Sequence, residues 1–92
     1  MLERQIKIIN RLGLHLRAAT KLVQLASEYE ADISIFCDGQ TADAKSIMDV
    51  LMLAAIIGKI LKIRVSGKSD EEEENIMNLL TALIDNRFGE SE

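Results

Sequence analysis

The dipeptide Asp38-Gly39 does most to limit how this chain can fold. It separates two short strand-like runs, residues 32–37 and 40–43, by two residues. A two-residue turn of this composition suits the type I′ geometry, in which both central residues take positive φ. Strands joined that way pair antiparallel, because a parallel pair needs a long crossover. In the first run Ile33, Ile35 and Cys37 share one face, so one side of the sheet is to be buried and the other wetted.

The remaining segments follow from their hydrophobic periods. Residues 2–9 alternate Leu2, Arg4, Ile6 and Ile8 with Glu3, Gln5, Lys7 and Ile9, a strand pattern. Residues 60–66 alternate Leu61, Ile63 and Val65 with Lys62, Arg64 and Ser66. Residues 16–28 place Leu16, Ala19, Leu22, Val23 and Ala26 at helical spacing. Ser46-Ile47-Met48-Asp49 has the form of a capping box and opens a second, short helix running to about Met52. Residues 53–59 are apolar up to Gly58 and include a turn. Ser69 caps a third helix whose acidic run, Asp70 to Glu74, favours the positive end of the helix dipole. Its apolar stripe is Ile76, Leu79, Leu80, Leu83 and Ile84.

The order is therefore βαββαβα. One-sided strands need helices on one face only, so the expected fold is an α/β (α+β) open-faced sandwich. It has a four-stranded antiparallel sheet with three helices on one face. Residues 1–88 form the single expected domain, and residues 89–92 are read as a frayed tail.

Composition removes several classes of function. The net charge of −4, from 15 acidic and 11 basic residues, disfavours binding that depends on neutralising nucleic-acid phosphates. Lys59 and Lys62 interrupt the longest apolar run before it reaches membrane-spanning length. The start, Met1-Leu2-Glu3-Arg4, lacks the pattern of a secretory signal. The lone Cys37 cannot form an internal disulfide and fits a reducing cytoplasm as buried filler. One His and one Cys make no metal site, and the scattered glycines form no nucleotide-binding loop, so no cofactor is expected. A hydrolytic triad would need a cleft and an oxyanion hole that so small a domain rarely builds.

His15 is the residue that chemistry points to. It lies at a strand-to-helix junction, where unpaired backbone N–H groups face outward and suit an anion. The positive helix end favours a neutral, nucleophilic ring, and the same N–H groups would hold a phosphate once it arrives. Arg17, two residues on, offers a planar donor fork for phosphoryl oxygens.

The segment Gly13-Leu14-His15-Leu16-Arg17-Ala18-Ala19 resembles the active-site segment of the histidine-containing phosphocarrier protein (HPr) family of the bacterial phosphoenolpyruvate-dependent phosphotransferase system. Ala44-Lys45-Ser46-Ile47-Met48 resembles the same family's regulatory-serine segment, at the expected distance from the histidine. The resemblance runs over essentially the whole chain. It implies that His15 accepts a phosphoryl group on Nδ1 from enzyme I and passes it to an enzyme IIA. Arg17 would steady the phosphate, and the backbone N–H groups of Leu16 and Arg17 would bind it. Ser46 would be the target of an HPr kinase/phosphorylase. Ile47, Met48, Leu51 and Met52 would include the positions of an apolar docking patch, with Ile47 and Met48 the exposed members and Leu51 and Met52 as readily core. The implied protein is a cytoplasmic monomer that carries phosphate without turnover of its own.

The chain departs from the sugar-transport pattern in several places. Ala18 stands where many such members have proline, and Leu16 replaces a small residue beside the histidine. Asp49 adds a carboxylate one turn from Ser46, and Ala54-Ala55 follows Leu53 where many members carry a glycine. These features resemble proteobacterial HPr-like proteins of the nitrogen-related, regulatory branch. Two other readings stand beside the carrier. One is a regulatory module of the same fold that acts through Ser46 and the Ile47/Met48 patch without productive transfer. The other is a small ligand-sensing domain that buries its sheet in a dimer; the Lys, Arg, Ser and Gln on the outward strand positions speak against it.

Overall fold

The computed structural model describes residues 1–92. Its elements follow the expected order: β1 (Leu2–Lys7), α1 (Leu16–Ser27), β2 (Asp32–Cys37), β3 (Gln40–Asp43), α2 (Ile47–Met52), β4 (Ile60–Ser66) and α3 (Asp70–Asp85). The four strands form one sheet in the order β1-β4-β2-β3, and every pairing is antiparallel. Asp38 and Gly39 both have positive φ, 49° and 79°, as the two-residue hairpin requires.

The inward faces of the strands supply Ile6, Ile33, Ile35, Cys37, Leu61, Ile63 and Val65, all buried. The opposite face is polar and wet. There the Lys62 Nζ, at 5.1 Å, and the Arg64 guanidinium, at 4.9 Å, both approach the Phe36 ring centre. The first strand ends two residues earlier than its alternation suggests, but Ile8 stays tied to the loop before β4. Its N–H donates to Lys59 O at 2.9 Å, and its carbonyl accepts from Gly58 N at 2.8 Å.

Two helical stripes sit slightly rotated from the expected ones. In α1 the buried residues are Ala18, Ala19, Leu22, Val23 and Ala26, while Leu16 projects into solvent. In α3 the buried apolar residues are Ile76, Met77, Leu80 and Ile84, with Leu79 exposed and Leu83 half-buried. Met77 fills the place expected of Leu79 because the face is set by contact with β1 and β4, and spacing alone admits either neighbour.

The segment after α3 is not frayed, contrary to expectation. Arg87, Phe88 and Gly89 all adopt positive φ, 55°, 54° and 82°, in a tight left-handed reversal. Such backbone costs about 1–2 kcal/mol for each non-glycine residue. The Phe88 side chain offsets that cost by being fully buried, and Lys21 Nζ donates to Phe88 O at 2.6 Å. The reversal lays residues 90–92 back across the start of α1.

Candidate functional site

His15 is the N-cap residue of α1, with extended backbone (φ −75°, ψ 178°). Its side chain caps nothing, and α1 has no acidic residue in its first turn. The N–H groups of Leu16 and Arg17 consequently lack an acceptor within the protein, while Ala19 N donates to His15 O at 2.8 Å and begins the helix ladder.

The loop that delivers His15 is held from two sides. Gly13, at φ +65°, approaches the loop after α2 so closely that an added Cβ would lie 2.5 Å from Ala55 O. Leu14 N donates to that same carbonyl at 2.9 Å. Asn10 is fully buried, and its Nδ2 donates to Gly13 O at 2.9 Å and to Glu90 Oε1 at 3.0 Å.

Glu90 is the residue that sequence reading missed. Its Oε2 pairs with Nε2 of His15, whose side chain is about a quarter exposed. Burial pushes the Glu90 carboxyl up, but the hydrogen bonds from Asn10 and His15, with the charges of His15 and Arg17, outweigh it. The net position is below the usual carboxylate value. Arg17 is exposed, forms no ion pair, and lines a cleft of about 260 Å³ together with Arg11, Leu12 and Glu90 to Glu92. The rim is closed by Arg11, whose guanidinium meets the Glu92 carboxylate at 2.9 Å. One signal in the sequence could have exposed this: a large apolar residue, Phe88, beyond the end of a helix, where an anchor makes more sense than a frayed tail.

Ser46 is the N-cap of α2, and its Oγ accepts from Asp49 N at 3.3 Å. The reciprocal half of the capping box is missing. Asp49 Oδ2 instead accepts from Asp43 N at 3.3 Å, and Ser46 N donates to Asp43 O. The two expected phosphate sites thus sit at the starts of two helices that pack together, α1 and α2. Of the expected docking residues, Met48 is 66% exposed, whereas Ile47 and Leu51 are half-buried against the core. Met52, 71% exposed, takes the outward place expected of Ile47. In so short a helix the residue after the cap turns inward, and positions 48 and 52, one turn apart, share the wet face.

His, Cys, Asp and Glu side chains form no group able to hold a metal ion. No helix is long and apolar enough to cross a membrane.

Comparison with known proteins agrees with this geometry. Residues 2–86 match the family model described as the phosphotransferase-system HPr component phosphorylation site. The chain is 48% identical to the phosphocarrier protein HPr of Cupriavidus necator over the full length of both. It is 41% identical to the phosphocarrier protein NPr of Shewanella violacea, over 98% of this chain and 96% of that one. Among solved structures, an HPr from Thermoanaerobacter tengcongensis superposes with a TM-score of 0.92 at 36% identity, covering both chains completely. The likeness spans relatives bearing both names. With its fold, its helix-start histidine and these matches together, the chain belongs to the HPr family of phosphotransferase-system phosphocarriers.

Proposed function

We propose that the chain carries a phosphoryl group on Nδ1 of His15, received from enzyme I and donated to an enzyme IIA. The observation that carries this reading is the state of the α1 start. The Leu16 and Arg17 N–H groups are unpaired beside an imidazole whose Nε2 is engaged by Glu90, which leaves Nδ1 as the ring's free nitrogen. Arg17, unpaired and lining the adjoining cleft, supplies positive charge for the phosphoryl oxygens. An exposed site of this kind binds phosphate without over-stabilising it, as onward donation requires. The protein works as a cytoplasmic monomer, and Ile47, Met48 and Leu51, extended by Met52, meet its partners.

The test is incubation with phosphoenolpyruvate and a cognate enzyme I. The expected product carries one acid-labile phosphate, lost in His15→Ala and retained in Ser46→Ala. Absence of label in the wild type would sink the reading.

Ser46 supports a second role in the same protein. Its Oγ accepts one hydrogen bond and leaves its own hydrogen free, and exposed Met48 lies two residues on. Phosphorylation by an HPr kinase/phosphorylase would place about two negative charges beside the docking patch. Asp43 and Asp49, already at this helix start, oppose that modification electrostatically. Ser46→Asp is expected to weaken association with enzyme I; unchanged enzyme I kinetics would count against the regulatory role.

A further inference from the structure

The left-handed reversal at residues 87–89 brings one carboxylate, Glu90, against the ring of His15. Its two oxygens have separate duties: Oε1 accepts from Asn10 and Oε2 faces His15 Nε2. The orientation of Asn10 is fixed, because exchanging its amide atoms would set a carbonyl oxygen against two acceptors, Gly13 O and Glu90 Oε1. Lys21 and buried Phe88 hold the backbone just before Glu90. The carboxylate side chain is only 14% exposed, so it is not a solvent-swept tail group.

We infer that Glu90 is a positioning residue for His15: it takes the Nε2 proton in a hydrogen bond, holds the ring in the tautomer whose lone pair is on Nδ1, and offsets the positive charge that grows on the ring during transfer. This inference rests on the carrier reading above. When Nδ1 attacks, its lone pair forms the new nitrogen–phosphorus bond. The bond from phosphorus to the donor atom of enzyme I breaks, and its electron pair stays with that atom. The Nε2 proton stays on His15, so the ring becomes cationic and the facing carboxylate compensates it. In onward donation the electron pair returns to Nδ1 and the ring is neutral again. Glu90 never touches phosphorus. The α1 N–H groups and Arg17 serve the phosphoryl oxygens on one side, and Glu90 serves the ring on the other. A carboxylate fixing an imidazole tautomer in this way is the division of labour seen in hydrolytic triads.

The test compares wild type, Glu90→Gln and Glu90→Ala by two readouts. Imidazole 15N shifts, at a pH where the ring is neutral, report the tautomer. Rapid-quench transfer from phosphorylated enzyme I reports the rate of acceptance. Wild type is expected to keep the proton on Nε2. In Glu90→Ala the Nδ1–H form appears and acceptance slows by roughly 10- to 100-fold, the range found when the outer partner of a metal-bound histidine is lost. Glu90→Gln has one acceptor oxygen for two donors, Asn10 and His15, and recovers only part of the rate. Equal tautomers and equal rates in wild type and Glu90→Ala would overturn the inference alone. A wild type that takes no phosphate at all would overturn the carrier reading, and the transfer role of Glu90 with it.

Discussion

The starts of α1 and α3 are the same kind of structure finished in opposite ways. At α3, Ser69 Oγ accepts from Glu72 N at 3.1 Å, Glu72 Oε1 accepts from Lys68 N, and Glu73 Oε2 accepts from Gly67 N at 2.9 Å. Four acids occupy its first turn. Every one of these choices stabilises a helix end. At α1 the cap residue makes no side-chain bond, the first turn has no acid, and Arg17 stands where its charge opposes the dipole. The contrast shows that the chain has the means to close a helix start and uses them at α3 but not at α1. What compensates α1 comes from outside the helix, from Gly13 on one side and the tail with Glu90 on the other.

Removing that outside support should have the largest effect. Phe88→Ala is expected to cost about 3–5 kcal/mol, as for other large buried side chains, and to free Glu90 from His15. Urea titration gives the loss, and an unshifted midpoint would mean that the reversal does not depend on its anchor. Next comes Gly13→Ala, which combines a left-handed backbone with a Cβ 2.5 Å from Ala55 O. A loss of at least about 2 kcal/mol is expected from these together, again seen in the urea midpoint.

The caps themselves are worth less. Ser69→Ala should cost about 1 kcal/mol. At α1 the same difference is expected between two variants: His15→Ser should be more stable than His15→Ala by about 1 kcal/mol, because serine supplies a cap that alanine, like the native histidine, does not. Thermal unfolding of the three variants distinguishes a helix start left open from one closed by some other route. The smallest effect is in acid. Glu73 is held below its ordinary value of 4.5 first by the Gly67 N–H and then by the amino group of Met1. A lowered folded value gives stability that is full above the ordinary carboxylate value and lost as pH falls through the lower one. Glu73→Gln should therefore flatten the decline in urea midpoint between neutral and acid pH; a parallel decline would remove Glu73 from the account.

Much of this molecule is written in short-range pattern. Asp38-Gly39 announces its hairpin, Ile33, Ile35 and Cys37 their buried face, and Ser46 and Ser69 their caps, because turns, alternation and capping act over a few residues. What stayed hidden needed contacts distant in sequence. Asn10 meets Glu90 across 80 positions. The left-handed backbone at Arg87 and Phe88 runs against local preference and exists only because the core accepts the Phe88 ring. Met77 in place of Leu79, and Met52 in place of Ile47, reflect small rotations that tertiary packing decides. His15 was legible as a position; the carboxylate on its ring was not.

The paired carbonyl of Ala55 also has a consequence in time. Leu14 N is bonded to it, whereas Leu16 and Arg17 N–H, two and three residues later, have no acceptor. Neighbouring amides in one loop should therefore exchange with solvent deuterium at very different rates, Leu14 slowly and Leu16 and Arg17 fast. A bound phosphoryl group would slow the fast pair and leave Leu14 as the internal clock, so the site carries its own occupancy gauge in a single exchange trace.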